Sequence, residues 1–361
     1  MKKKISAMTA FSIAAALALS ACGGGGGGSD SGGTNTGSSS TPAATSSSAG
    51  NLQTSVPTAT YTSGTAEASI FTQLNAYRSG MGVGLLKQDT MLDTSASAHA
   101  LYLVDNFANG NITSVTHNEV STLADYYEAT PLSRARKAGV PATEWVGENA
   151  GVGLNLTTVD ANATSCVGQY LDTVYHLQGA TDIQETVGVG FQVNASQGTY
   201  GCVLDFGETT NVTGAPVDNG FYAAGGQQMA TSANAVSPYP NETNVALTMH
   251  AESPNPAPDL ASPGRPVMFR VNAANAGDVL TVTSFTLTAN GSAVPARIIV
   301  PSAAMTGSTG ATADVNNALF VGVVVLLPLA PLAANTTYTA TFSGQRDGKP
   351  VSRTWNFTTG S

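Results

Sequence analysis

Apolar residues follow helical spacing early in the chain and strand-like alternation further on. Between residues 66 and 78 they recur every three or four positions, as on one face of a helix (Ile70, Leu74 and Tyr77). Similar spacing predicts helices at 89–107, 132–138 and 166–177. Apolar residues that alternate with polar ones predict strands at 186–193 and 200–206. Long irregular connections are expected at 108–131 and 150–163. This mixture of helices and antiparallel strands predicts an α+β domain over residues 65–230.

A second pattern, of short strands separated by turn residues, begins at about residue 240. Alternation is clear in "TYTATF" and "RTWNFTT", and Asp347-Gly348 supplies a hairpin turn between them. The predicted strands are 245–250, 266–271, 279–288, 296–300, 319–327, 337–343 and 353–358. Short strands of this kind predict an all-β sandwich over residues 240–361, and its closing hairpin resembles bacterial Ig-like domains.

The beginning of the chain has the order of a secretory signal. The basic residues Lys2–Lys4 precede an apolar stretch over Ile5–Leu19, which is short for a membrane span. The run "LSAC" that follows resembles the bacterial lipobox. That resemblance implies removal of residues 1–21, a lipidated Cys22 that anchors the chain in a lipid bilayer, and, with Gly24 in place of Asp, outer-membrane sorting in a Gram-negative cell. The alternative is an ordinary cleaved signal with an incidental Cys22.

Low-complexity sequence follows the predicted lipidation site. Six consecutive glycines, Gly23–Gly28, lead into a stretch dominated by Ser, Thr, Gly and Ala that continues to Gly50. Such a composition has too little apolar surface to offset the entropy of ordering the chain. We therefore expect residues 22–64 to form a disordered tether between the membrane anchor and the folded part.

The charge composition argues against a nucleic-acid partner. Only 10% of residues are charged, the net charge is -9, and the basic residues form no cluster that could neutralise phosphates. The sequence also has no Gly-rich phosphate loop and no dinucleotide-binding fingerprint. We expect a protein that does not bind nucleic acid.

Several motifs in the α+β part occur in an order that resembles one superfamily. They are "LNAYRSGMGVGLLKQDTMLDTSASAHA", "THNE", "GENAG", "YLDTVYH", "ETVGVGF" and "GCVLDFG", with an "RxxxA-G" element from Arg134 to Gly139. Together they resemble the CAP superfamily of cysteine-rich secretory, antigen 5 and plant pathogenesis-related proteins, also known as the SCP domain. The resemblance implies an α-β-α sandwich that brings His117, Glu148 and His176 into one cleft.

The resemblance also suggests a metal site. Two imidazoles and a carboxylate suit Zn²⁺ or another divalent cation, so His117, Glu148 and His176 are the predicted ligands. Members often carry a further Glu at the position that aligns with Thr173, and Glu119 is a candidate substitute for it. A hydrogen-bonded His/Glu network without metal is the alternative.

The motifs for catalysis are fewer. The sequence has neither a His-Glu-x-x-His helix nor a Gly-x-Ser-x-Gly elbow, and no cysteine remains free to act as a nucleophile if the other two pair. If the cleft is catalytic, Glu148 is the candidate general base. Of the remaining histidines, His99 is expected to be structural and His250 to lie at the surface.

Two cysteines remain after lipidation of Cys22. In an exported protein, an even remainder predicts one disulfide, between Cys166 and Cys202, with two free buried thiols as the alternative. The bond would tie the helix that bears His176 to the last strand of the α+β domain.

Three functions are compatible with this sequence. We favour a binding protein at the cell envelope whose cleft holds a divalent cation or a small ligand, with an envelope protein as a further possible partner. A metal-assisted hydrolase of peptides or envelope polymers is the first alternative. A structural or adhesive surface protein with a vestigial cleft is the second.

Overall fold

A computed structural model of the chain describes residues 52–210, 212, 214–218, 228–230, 232–273 and 277–361. The predicted signal peptide, Cys22 and the tether up to residue 51 lie outside the described residues. All described residues belong to one compact unit that extends from Ser46 to Ser361. Within the described part of the chain, no helix is both long and apolar enough to cross a membrane.

Among the described residues up to Glu208, five helices and four strands form the first part of the unit. They are α1 (Ala66–Met81), β1 (Lys87–Gln88), α2 (Thr90–Ala108), α3 (Pro131–Ala138), β2 (Trp145–Leu154), α4 (Val159–Leu171), α5 (Tyr175–Ala180), β3 (Thr186–Asn194) and β4 (Thr199–Glu208). Most of the predicted elements occur here within a few residues of their expected bounds, and the α+β class is confirmed. Two differences matter for the site.

The first difference is strand β2, which the sequence pattern did not indicate. Its sequence "WVGENAGVGL" is buried without interruption from Val146 to Gly151, so it lacks the alternation that identifies a half-buried strand. The second difference is that the helix predicted at 166–177 is two helices. The chain leaves α4 at Asp172 and begins α5 at Tyr175, so His176 lies on a separate short helix.

The four strands form one sheet in the order β1-β3-β4-β2, with helices on both faces. On one face, glycines let α2 approach the sheet closely: a Cβ at Gly188 would lie 2.0 Å from the carbonyl carbon of Leu92, and one at Gly190 would lie 2.2 Å from that of Ala96. On the other face, alternate residues such as Val189 belong to the core that includes α1 and α4. This α-β-α arrangement leaves β2 as an edge strand.

The predicted disulfide between Cys166 and Cys202 is present. It joins α4 to β4, and Tyr170 donates a hydrogen bond at 2.6 Å to the carbonyl oxygen of Cys202 beside it. The bond therefore anchors α4, and not the helix that bears His176, because the chain breaks between the two helices.

The end of the predicted tether is ordered against the α+β part. The Gln53 side chain donates to the carbonyl oxygens of Leu85 and Glu185 at 3.0 and 2.9 Å. Tyr61 packs on the hydrophobic core and donates to Asp93 at 2.6 Å. These contacts correct the boundary at residue 64, since residues 52–64 form specific bonds that their polar composition did not indicate.

The described residues from Asn234 onward form nine strands in two sheets. They are β5 (Asn234–Ser237), β6 (Val267–Val271), β7 (Leu280–Ala289), β8 (Ser292–Ala293), β9 (Ala296–Val300), β10 (Ala311–Ala313), β11 (Val323–Pro328), β12 (Thr337–Arg346) and β13 (Lys349–Thr358). The sheet orders are β10-β9-β11-β6-β5 and β13-β12-β7-β8. The pair β9–β10 is parallel, whereas the other pairs in these sheets are antiparallel.

The predicted sandwich forms between these two sheets. Phe269 of β6 stacks on Phe342 of β12 at 3.8 Å between ring centroids, and Trp355 lies in the same core. The strand predicted at 245–250 is reduced to single bridges at Val245 and Thr248. Prolines interrupt the segment that follows, and proline lacks the N–H that a strand ladder needs.

The larger sheet is covered on both of its faces. Along β11, Val324 and Leu326 face the sandwich core, whereas Val323 and Val325 belong to the core that contains α1 and α4. This double burial explains the uninterrupted apolar run "VVVLLP" in the sequence. The C-terminal strands therefore pack directly on the helices that surround the candidate site.

Candidate functional site

Edge strand β2 places two consecutive polar side chains on opposite faces of the sheet. Glu148 pairs in register with Asp205 of β4 and lies on the face covered by α2 and α3. Asn149 lies on the other face, where its amide donates at 2.9 Å to the carbonyl oxygen of His176. Strand β2 thus contacts both predicted histidines: Glu148 contacts the His117 side chain, and Asn149 bonds to the backbone of His176.

Glu148 is a buried carboxylate held by two basic side chains. His117 Nδ1 lies 2.8 Å from Glu148 Oε1, and Arg134 Nη2 donates to Glu148 Oε2 at 2.6 Å. Arg134 also donates to the carbonyl oxygen of His117 at 3.0 Å, which holds the loop that carries the histidine. The Glu148 side chain is 1% exposed and that of His117 is 41% exposed, so His117 is the part of this cluster that faces solvent.

His99 and Glu119 form a second layer behind this pair. His99 is fully buried, with Nδ1 at 2.9 Å from Glu119 Oε1 and Nε2 at 2.9 Å from the Thr116 carbonyl oxygen. The other Glu119 oxygen accepts the backbone N–H of Tyr127 at 2.6 Å. Both side chains brace the loop between α2 and α3, so the Glu119 carboxylate is already engaged behind the cleft.

Thr173 has a role within its own turn. It is buried, donates to the Tyr170 carbonyl oxygen at 2.6 Å and accepts the N–H of Leu177 at 3.3 Å. Its hydroxyl therefore stabilises the break between α4 and α5. The Thr173 side chain therefore bonds to the backbone and not to a group in the cleft.

The cross-strand neighbours Glu148 and Asp205 have opposite pKa shifts. Burial by itself raises the pKa of Glu148, but Arg134, His99 and His117 together hold that pKa well below its usual range. Burial and the adjacent Glu148 charge raise the pKa of Asp205 well above its usual range. Glu148 is accordingly the member of this pair that stays ionised, and Asp205 is the member that holds a proton more tightly, since two adjacent buried carboxylates do not ionise together.

His117 and Glu148 open into a cleft with a volume of about 380 Å³. Its lining residues combine a polar side with an apolar side: His117, Pro131, Glu148, Asn149, Tyr175, His176, Gln178, Ser253, Pro254, Ala318 and Phe320. A smaller cleft of about 150 Å³ adjoins it, and His117 and His176 line both. All three predicted site residues therefore lie at the same cleft. His250 is exposed, as expected, and lines the smaller cleft.

His176 is held by a different carboxylate from the one that holds His117. Its Nδ1 lies 3.2 Å from Glu252 Oε2, and its side chain is 17% exposed. Glu252 precedes most strands of the C-terminal sheets and is 76 positions away along the sequence. The sequence pattern did not single out this residue.

The cleft residues do not fit a metal ion well. Both Glu148 oxygens already bind Arg134 and His117, and the guanidinium of Arg134 places a positive charge beside them. Among the described residues, no group of three or more His, Cys, Asp and Glu side chains has an arrangement that could hold a metal. The metal site at His117, Glu148 and His176 stays a prediction, and no chemical step follows from it.

The geometry allows one simple form of acid–base chemistry. A carboxylate that holds Nδ1 of an imidazole leaves Nε2 as the proton acceptor, which is the arrangement of a histidine base with its orienting acid. Glu148 is a poor proton acceptor itself, because Arg134 and the histidines depress its pKa. The role that fits Glu148 best is therefore to orient His117.

Comparisons with known proteins add little to this picture. No family model matches the chain, and no curated protein matches it. Among solved structures, it is similar to an outer surface protein from Borrelia burgdorferi, at 15% sequence identity and a TM-score of 0.30. That match covers 39% of this chain and 90% of the other. A likeness at this level carries no functional conclusion, and the CAP resemblance stays a prediction.

Proposed function

We propose that this chain is an exported lipoprotein of the cell envelope, tethered through Cys22, whose CAP-like part binds a small ligand in the cleft between His117 and His176. The observation that supports this most directly is the pair formed by His117 and the buried Glu148, at 2.8 Å, on the wall of a 380 Å³ cleft. Pockets for small molecules have volumes of about 300–1,000 Å³ and combine apolar walls with a few polar groups.

A small organic ligand fits the cleft better than a divalent cation does. Tyr175, Pro254 and Phe320 offer an apolar wall, whereas His117 and His176 offer ring nitrogens on the polar side. Since Arg134 neutralises Glu148, the described residues of the polar side offer no free pair of carboxylates that would attract a cation. The expected ligand therefore has an apolar body and a group that hydrogen-bonds to imidazole.

A hydrolase remains the second candidate, and the same contact favours it. With Nδ1 held by Glu148, His117 has the orientation of a general base that could activate water for hydrolysis of peptides or envelope polymers. Such a mechanism assigns Glu148 the orienting role in place of the base. Turnover of envelope substrates that is lost in His117→Ala would support this candidate over simple binding.

The test of the binding proposal is a direct search for a bound molecule. Full chain purified without denaturation would be unfolded in solvent, and the released small molecules and metals measured by mass spectrometry. We expect a near-stoichiometric organic molecule from the wild type and its loss from His117→Ala/His176→Ala. Calorimetric titration with Zn²⁺ on the same proteins tests the cation separately.

Lys87→Ala is the control, because Lys87 is exposed and lines neither cleft. It should retain the molecule at the wild-type level. An absence of any released molecule from the wild type, together with no heat from Zn²⁺, would refute binding in this cleft. Equal retention by the double variant would place the ligand elsewhere.

A further inference from the structure

We propose that Glu252 is a positioning residue for His176, and that the C-terminal part is thereby part of the binding cleft and not a separate spacer. This inference rests on the proposed function, because it concerns the same cleft. It adds a residue and a whole segment that the resemblance to CAP proteins does not supply. The supporting contacts all involve α5, the short helix that carries His176.

Glu252 holds the beginning of α5. Its two carboxylate oxygens accept the backbone N–H groups of Val174, Tyr175 and His176 at 2.7, 2.9 and 3.3 Å. The residue that precedes the helix, Val174, has no side chain that could cap its first turn. A residue from the C-terminal part therefore satisfies N–H groups that a helix normally satisfies from its own sequence.

The middle and the end of α5 are also bonded to the C-terminal part. The Gln178 side chain donates to the Ala318 carbonyl oxygen at 2.7 Å and accepts the N–H of Phe320 at 3.0 Å. Arg270 of β6 donates to the Thr181 carbonyl oxygen at 2.6 Å, just after the helix. A helix of six residues has little stability alone, so these bonds fix where His176 lies.

The same carboxylate sets the chemistry of the imidazole. Glu252 Oε2 is 3.2 Å from His176 Nδ1, and an ionised carboxylate can only accept hydrogen bonds. Neutral His176 must then carry its proton on Nδ1 and leave Nε2 as an acceptor. His117 has the same arrangement through Glu148, so both histidines would offer an Nε2 lone pair to a ligand.

Residues from both the α+β part and the C-terminal part line the cleft. His117, Glu148 and Asn149 come from the α+β part, whereas Pro254 and Phe320 come from the C-terminal part. The α+β part alone would leave the cleft open on that side. We infer that the ligand is enclosed between the two parts and that recognition depends on both.

The decisive experiment is nuclear magnetic resonance of the histidine rings in the full chain, labelled with ¹⁵N, at a pH where the imidazoles are neutral. Long-range correlations identify which ring nitrogen carries the proton, and His176→Ala assigns the signals of His176. We expect the Nδ1–H tautomer for His176 in the wild type. In Glu252→Ala, which removes the acceptor from Nδ1, the Nδ1–H tautomer of His176 should no longer dominate, while the tautomer of His117 stays the same.

Asp89→Ala is the matched control. Asp89 caps α2 through the N–H groups of Met91 and Leu92 at 2.8 and 3.3 Å, so its replacement perturbs a helix N-terminus without touching the cleft. It should leave both tautomers unchanged. If Glu252→Ala does not fold, the wild-type spectrum alone decides.

An Nε2–H tautomer of His176 in the wild type would overturn the proposal, and so would an undiminished Nδ1–H tautomer in a folded Glu252→Ala. The readout needs no ligand. Failure to find a bound molecule would therefore refute the proposed function and leave the positioning role of Glu252 intact.

Discussion

Two groups of buried charged side chains among the described residues differ in their access to solvent. The cleft network (His99, His117, Glu119, Arg134 and Glu148) joins carboxylates to basic side chains, and its outermost member, His117, is 41% exposed at the cleft. The seam arginines are Arg78, Arg265 and Arg270. They lie between the α+β part and the C-terminal strands and are at most 3% exposed.

The seam arginines bond to the backbone and to carboxylates: Arg265 pairs with Asp172 at 2.6 Å, and Arg270 pairs with Asp182. Arg78 donates to the carbonyl oxygens of Gly84, Ala180 and Asp182 at 2.7–2.9 Å. The bonds of Arg265 and Arg270 cross from the C-terminal part to the α+β part and hold the two together, which is an architectural task. Both groups bury charge. Only the cleft network reaches the 380 Å³ cleft, so it is the candidate for function.

The largest expected effect comes from breaking the cleft network at Arg134. Arg134→Met leaves the Glu148 carboxylate buried without its main counter-charge, and the loss of one partner of a buried pair costs about 3–5 kcal/mol. Urea denaturation of wild type and variant measures this difference.

Arg297→Met is the control, since Arg297 pairs with Asp259 at the surface. Solvent screens exposed pairs, so its denaturation midpoint should change little. Equal midpoints for the Arg134 and Arg297 variants would show that the Arg134–Glu148 pair contributes no more than a surface pair.

The free energy of unfolding should depend on pH through Glu242, which interacts with the seam arginine Arg265. Burial raises the pKa of Glu242 to about 7 from 4.5, although Arg265 opposes the shift. Because the folded state binds this proton more tightly, the stability contribution of Glu242 is present below about pH 4.5 and is lost as pH rises to about 7. Glu242→Gln, which mimics the protonated acid, should therefore be more stable than wild type at pH 8, by about 1–3 kcal/mol.

Urea denaturation at pH 5 and pH 8 checks this expectation. The other titrating groups affect wild type and variant alike, so the difference between the two proteins isolates Glu242. A difference that is the same at both pH values would contradict the raised pKa. The Gln oxygen can still accept the N–H of Tyr239, which Glu242 accepts at 2.8 Å, so the local turn should persist.

Local patterns were enough to predict much of the fold. Helix α2 and strand β9 have regular apolar spacing and occur close to their expected bounds. Strand β2 is buried on both faces and was missed because period-two alternation is absent there. The break between α4 and α5 depends on the Thr173 hydroxyl and on Glu252, neither of which changes the helical spacing.

The candidate site was predictable only in part. His117, Glu148 and His176 were named through a motif resemblance, and they do line one cleft. Arg134 was noted within a motif, but nothing in its neighbours indicates that it bonds to Glu148. Glu252 lies in a different part of the chain, and only the packing of the C-terminal strands on α5 brings it to His176.

The smallest expected effect is that of His117→Ala, and it is measured against His99→Ala, on the other side of Glu148. His99→Ala removes a fully buried ring and leaves the Glu119 carboxylate and the Thr116 carbonyl without this partner, which should cost about 2–4 kcal/mol. His117→Ala removes a ring that is 41% exposed, and Arg134 still pairs with Glu148, so its cost should stay below about 1 kcal/mol. Urea denaturation of the two variants side by side tests the order. The reverse order would mean that His117 holds the loop between α2 and α3, and would weaken its assignment to ligand binding, because a residue that binds ligand at the rim of a cleft need contribute little to folding.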